Sequence, residues 1–138
     1  MTSTYKPTAI PRTRITSGSE FERVYNYSRA VLVGNHLMIS GTTGYDYATS
    51  TLADGPVEQT EQLIRNVEAA LAQVGGTLAD IVRVRMYLAY AEDYDAIMEA
   101  YARAFEGICP ACTTVEAKLF DPAMRIEMDM DAIVDVRP

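Results

Sequence analysis

Tryptophan is absent from this chain, histidine occurs once as His36, and cysteine occurs twice, as Cys109 and Cys112. Those scarcities narrow the chemistry. A zinc site takes about four nitrogen and sulfur ligands, which one histidine and one C-x-x-C pair do not provide. Redox motifs of the thioredoxin kind sit where a helix begins after a strand, whereas this pair precedes a strand. Two reduced thiols are therefore expected, with no metal and no cofactor. Basic residues are also few. Lys and Arg number 12 against 19 Asp and Glu, a formal net charge of −7, and no basic stripe with interleaved aromatics is present, so nucleic acid is not an expected partner. No apolar run approaches the roughly 18 residues of a membrane span. The first 14 residues are rich in Thr and Pro but lack the apolar centre of a secretory signal, so a cytoplasmic setting is expected.

The remaining composition, 49% hydrophobic and 22% charged over 138 residues, suits a globular protein. Internal repeats, low-complexity tracts and linkers are missing. One domain over residues 1–138 is expected, irregular over 1–16 and small enough to profit from oligomerisation.

Arg29 to Val33 and His36 to Thr42 read as strands about the hairpin turn Gly34-Asn35. A loop follows over 43–55, in which Tyr45 and Tyr47 stand. Pro56 opens a helix whose apolar stripe is Leu63, Ile64, Val67, Ala70, Leu71 and Val74, ended by Gly75-Gly76. Ile81 to Tyr90 alternates as a strand, Val82, Val84, Met86 and Leu88 against Arg83, Arg85 and Tyr87. Asp93 is expected to cap a second helix with the stripe Tyr94, Ile97, Met98, Tyr101 and Phe105. The last quarter holds two more alternating segments. In one, Cys112, Thr114 and Glu116 oppose Thr113 and Val115; in the other, Arg125, Glu127, Asp129 and Asp131 oppose Ile126, Met128 and Met130. The order ββαβαββ with two amphipathic helices predicts an α+β fold, both helices covering one sheet face. The other face would carry Arg83, Arg85, Cys112, Thr114, Glu116, Glu127 and Asp129. Val31 and Val33 alternate with Ala30 and Leu32, so the first strand is apolar on both sides, which favours a partner surface.

The segments Tyr27-Ser28-Arg29-Ala30-Val31, Ile39-Ser40-Gly41-Thr42, Val82 to Leu88 with Asp93-Tyr94, Pro110-Ala111 and Ile126-Glu127-Met128-Asp129 occur in an order that resembles the YjgF/Rid family, the reactive-intermediate deaminases, also labelled endoribonuclease L-PSP. The resemblance implies a chorismate-mutase-like fold, a homotrimer with sheets facing inward, and a small-molecule cleft at each subunit interface. Members of the best-known type hydrolyse imines and enamines such as 2-aminoacrylate. Carried over, Glu127 matches the acidic residue near the reacting carbon, and Tyr27, Gly41 and Thr114 fall at ligand-facing positions. Cys112 stands where the carboxylate-binding arginine is usual, and Met98 replaces an asparagine that some members use.

A thiol does not substitute for a guanidinium, which presents two parallel charge-assisted donors to a carboxylate. The loss leaves two expectations: Arg85 or Arg29 reaches the cleft instead, or the ligand has no carboxylate. The site expected from sequence is thus Glu127 as the catalytic group with Tyr27, Gly41, Arg85, Cys112 and Thr114 binding the ligand. The leading function is hydrolysis of an imine, enamine or related labile nitrogen compound, with altered substrate choice and little activity on 2-aminoacrylate. The alternatives are a trimer that binds a small molecule without turnover and, third, an endoribonuclease, which the acidic charge disfavours.

Overall fold

A computed structural model describes residue 4 and residues 10–135. Along the chain the elements are β1 (Arg12–Ile15), α1 (Glu20–Tyr25), β2 (Ala30–Val33), β3 (His36–Thr42), β4 (Tyr45–Asp46), β5 (Thr51–Leu52), α2 (Pro56–Ala72), β6 (Ile81–Leu88), α3 (Tyr94–Ala104), β7 (Ala111–Glu116) and β8 (Ile126–Ile133). Among the described residues, six strands form the main sheet in the order β1-β2-β3-β8-β6-β7, and β4 pairs with β5 in a short separate ribbon. The α+β fold expected from sequence is present, with additions. The stretch read as irregular up to residue 16 contains β1, which extends the sheet beyond β2, and the loop over 43–55 contains the β4–β5 ribbon. A third, short helix, α1, precedes β2.

The helices α2 and α3 form one layer. Leu63, Ile64, Val67, Ala70 and Leu71 of α2 and Ile97 and Tyr101 of α3 are buried with Ala30, Leu37, Ile39, Val84, Met86, Leu88, Met128 and Met130 of the strands. Their spacing by three and four on the helices and by two on the strands gives each element one face for this core. The sheet's other face is left open. Two details depart from the alternation read in sequence. The pairing of β6 with β8 slips between Ile81 and Arg83, so Ile81 is buried and Val82 is exposed; a bulge shifts the phase by one residue. Tyr94, the first residue of α3, is also exposed.

Asp93 does not cap α3 with its side chain. Its carboxylate instead accepts from Arg125 Nε at 2.6 Å and Nη2 at 2.8 Å, a fork that ties the start of α3 to the entrance of β8.

The decisive topological feature is the β6–α3–β7 unit. The two strands run parallel, since a helix carries the chain back across the sheet between them. In this register Cys112 pairs with Val84, Thr114 with Met86 and Glu116 with Leu88. Side chains of registered partners lie on one side of a sheet, so Cys112, Thr114 and Glu116 belong to the helix-side face rather than to the polar face expected from sequence. Thr113 and Val115 occupy the open face beside Arg85 and Tyr87. The polarity of β7 misled the sequence reading for a physical reason: this edge strand is mostly exposed on both sides, so neither set of residues had to be apolar.

Candidate functional site

Ile126, Met128, Met130 and Ala132 of β8 are buried, and the two-residue period turns Glu127, Asp129 and Asp131 to the open face. Glu127 lies opposite Tyr87 and Asp129 opposite Arg85. On the other flank, β3 bulges: Ile39 pairs with Met130 and Thr42 with Met128, so Ser40 and Gly41 together face one residue of β8. The bulge brings Gly41 against the Glu127 side chain, where a Cβ would stand 2.6 Å from Oε2. The missing side chain at 41 is what admits the carboxylate there.

Glu127 is half-buried, and no hydrogen bond or ion pair holds its carboxylate among the described residues. Burial pushes its pKa above the ordinary glutamate range, the charge of Asp129 adds to the rise, and Arg29 opposes it. Charged groups in partial burial are normally paired. A lone carboxylate with raised proton affinity is suited to taking a proton from water and returning it to a leaving group.

Arg29 sits behind this carboxylate at 3% exposure. Its Nη1 donates to the Gly41 carbonyl at 2.7 Å and to Thr42 Oγ1 at 3.1 Å. Its Nε and Nη2 both donate to Glu22 Oε2 at 3.4 Å. Glu22 comes from the inward side of α1, a helix capped by the Ser19 hydroxyl and ended by Asn26 in the left-handed region at φ 57°. Burial drives the Glu22 pKa up, but hydrogen bonds donated by Ser17 and Thr16, together with Arg29, outweigh it and hold the carboxyl below its ordinary range. The Arg29 guanidinium carbon also lies 5.8 Å from the Tyr27 ring centre and 5.4 Å from that of Tyr47, within cation–π range. Burial raises the Tyr47 pKa, partly offset by Arg29. Beside Tyr27 and Glu22 runs a recess of about 480 Å³ that Arg14, Ser19 and Arg23 also line.

The fold therefore gathers three residues of the sequence-based site, Tyr27, Gly41 and Glu127, around Arg29. It does not gather the rest. Arg85 is on the same face, but its Nη1 donates to Asp129 Oδ1 at 2.7 Å, and the Tyr87 hydroxyl donates to Asp129 Oδ2 at 2.8 Å. Cys112 and Thr114 lie on the helix side, with 3.8 Å between sulfur and hydroxyl. There Cys112 approaches Tyr101 of α3, whose hydroxyl is strongly discouraged from ionising, first by burial and then by the neighbouring thiol. Cys109 and Cys112 are both exposed free thiols.

Sequence reasoning missed Glu22 and Tyr87. Tyr87 was legible, since it shares the alternating face of Arg85 and lies on the strand beside Glu127. Glu22 was not, because seven residues separate it from Arg29 and no helix or strand period joins them.

Comparison with known proteins supplies the relationship. The family model described as Endoribonuclease L-PSP matches residues 17–134. The chain belongs to the endoribonuclease L-PSP family, the YjgF/Rid proteins. Within this family a RutC family protein of Pyrococcus abyssi is 34% identical over 104 residues, 75% of this chain and 82% of the relative. The human protein named 2-iminobutanoate/2-iminopropanoate deaminase is 31% identical over 108 residues, 78% of this chain and 79% of the relative. Among solved structures, the YjgF/YER057c/UK114 family member Rv2704 of Mycobacterium tuberculosis superposes with a TM-score of 0.81 at 39% identity, covering 90% of this chain and all (100%) of that one. RidA of an Antarctic Psychrobacter gives 0.76 at 26% identity, with 93% and 100% covered. The YjgF/Rid fold is thus common to the strands and helices that position Glu127.

Proposed function

We propose that this YjgF/Rid protein hydrolyses a small imine or enamine at Glu127, that its substrate choice departs from that of the relatives named 2-iminobutanoate/2-iminopropanoate deaminase, and that it works as a homotrimer. The observation that carries the reading is the half-buried Glu127 carboxylate, set against Gly41 and without a partner among the described residues. In such a reaction water adds to the C=N carbon, the C–N bond breaks, and a ketone or aldehyde leaves with ammonia or an amine. Glu127 accepts the proton of the attacking water and returns it to the nitrogen. Tyr27 and Tyr47 supply flat apolar surface beside that carboxylate. Cys112 presents no positive charge, so a 2-imino acid or 2-aminoacrylate is expected to be a poor substrate.

The test follows imine decay by semicarbazide trapping, over a panel of imines with and without a carboxylate, using wild type and Glu127→Gln. Accelerated decay with wild type and a loss of about 10²–10⁴-fold in the variant, the usual worth of a general acid–base group, would support the reading. Equal rates with and without protein for every imine would reject hydrolysis. Binding without turnover is the second reading, favoured by the thiol of Cys112 where the family's carboxylate-binding arginine is usual. Ribonuclease action, which the family's label suggests, is disfavoured by the net charge of −7, which repels phosphates.

A further inference from the structure

We propose that the buried Glu22–Arg29 pair is a specificity lock, withholding from ligands the guanidinium beside Glu127, so that this site takes nitrogen compounds without a carboxylate, above all protonated imines. The inference rests on Glu127 being the ligand-facing group of the proposed function, and it names the class of compound that would occupy that site.

An arginine that grips a carboxylate needs two parallel N–H donors on an open edge. A guanidinium has five such donors. On Arg29 the Nε and Nη2 edge is turned to Glu22 at 3.4 Å, and Nη1 is taken by the Gly41 carbonyl and Thr42 Oγ1. Tyr27 and Tyr47 lie against the guanidinium, and 3% of the residue is exposed. Moving Arg29 toward a ligand would strand Glu22, itself 5% exposed, as an uncompensated buried charge. Glu22 is further fixed by donors from Thr16 and Ser17, which makes the pair a rigid fixture rather than a mobile side-chain contact.

The other candidate cations are also engaged or distant. Arg23 pairs with Glu20. Arg14, in the recess beside Tyr27, is in register through Val31 and Met38 with Asp131, four residues along β8 from Glu127. Arg85 is paired with Asp129, which accepts from Tyr87 as well. Arg83 stands opposite Asp131, four residues along β6 from Tyr87, roughly 13 Å at the rise of a strand. With Arg29 balanced by Glu22 and Arg85 by Asp129, the charge set against Gly41 without an ion-pair partner among the described residues is the carboxylate of Glu127. A ligand carboxylate would meet like charge there; a protonated imine would meet its complement. The reaction balances as one protonated ketimine and one water giving one ketone and one ammonium ion. The water oxygen bonds to carbon, the C–N bond breaks with its electron pair going to nitrogen, and Glu127 relays the protons of that water to the departing nitrogen.

The test uses the full-length protein and two stable probes in titration calorimetry: acetamidinium, a cation without a carboxylate, and 2-oxobutanoate, a carboxylate without the cation. Turnover of the acetone–methylamine imine is compared with that of 2-iminopropanoate in parallel. Wild type is expected to prefer acetamidinium, and the carboxylate-free imine by kcat/KM, by about tenfold or more, the value of one charge-assisted contact. Glu22→Gln keeps the shape of the pair but removes its charge, loosening the hold on the guanidinium, and should raise affinity for 2-oxobutanoate by a similar factor; a folded variant with unchanged affinity would overturn the lock. Should Glu22→Gln fail to fold by circular dichroism, the wild-type comparison alone decides. Wild type binding 2-oxobutanoate as tightly as acetamidinium, hydrolysing 2-iminopropanoate the faster, or binding neither probe would overturn the lock. A probe preference without turnover of either imine would leave the lock standing and reject hydrolysis.

Discussion

At the scale of single residues, the raised pKa of Glu127 has two consequences of definite sign. A carboxylate that must be ionised to accept a proton loses function as the pH falls through its pKa, and burial has moved that pKa up. The acid limb of kcat/KM should therefore lie above the ordinary glutamate range, and Asp129→Asn, which removes a neighbouring negative charge, should move it down. Stability has the opposite dependence. A folded-state pKa above the unfolded value means that holding Glu127 ionised costs stability above the raised pKa, while below the ordinary value that cost is absent. Glu127→Gln should thus melt at a higher temperature than wild type at pH 7, and the gain should vanish as the pH falls into the ordinary glutamate range; thermal scans across pH decide it. Gly41 supplies the complementary test. A methyl group there would meet the end of a flexible side chain, so Gly41→Ala should displace the carboxylate without unfolding the chain. Misplacing a reacting group by about an ångström costs up to about 10²-fold in rate, which a kcat measurement beside an unchanged circular dichroism spectrum would reveal.

At the scale of elements, the fork from Arg125 to Asp93 joins two units that no hydrogen-bond ladder connects, the start of α3 and the start of β8. Asp93 is buried, whereas 34% of the Arg125 side chain is exposed, its guanidinium 5.1 Å from the Tyr90 ring centre. Arg125→Ala leaves a buried acid without its partner and should cost about 1–3 kcal/mol in urea unfolding at neutral pH. Asp93→Asn retains an acceptor and should cost less; the reverse order would mean that the fork does not hold the two elements together. The elements also show where sequence was sufficient. The stripes of α2 and α3 and the alternation of β6 and β8 were legible because each has one face in the core, so burial imposes a period on residue choice. Glu127 could be set on the polar face on that basis, as it lies on a fully patterned strand; Gly41 came only from the family resemblance, since the β3 bulge breaks the period there. Cys112 could not, because its strand is an edge whose two faces are both wet, and its orientation is set by the parallel register with β6. Arg29 looked like a free anchor because its partner Glu22 belongs to a six-residue helix too short to show a period.

At the scale of the whole molecule, the open sheet face combines charge with apolar surface. Met38 is 40% and Ile133 43% exposed, and across the neighbouring strands Val31 is in register with Met38 and Val33 with His36. The proposed trimer would cover this face. Sedimentation at micromolar concentration should give three times the chain mass, and Ile133→Arg, which places a charge within that surface, should shift the protein toward monomer; a wild-type monomer would reject the trimer. The strand order carries one more consequence, for biosynthesis. The strand that joins the two halves of the sheet, β8, is made after every other described element, and its partners β3 and β6 both wait for it. Before residues 126–133 leave the ribosome, the nascent chain holds two half-sheets, each presenting an unpaired strand edge of the kind that recruits other chains. Closure of the core and arrival of Glu127 beside Gly41 are then one event, and a message truncated before residue 126 yields an aggregation-prone product, not an inactive folded one.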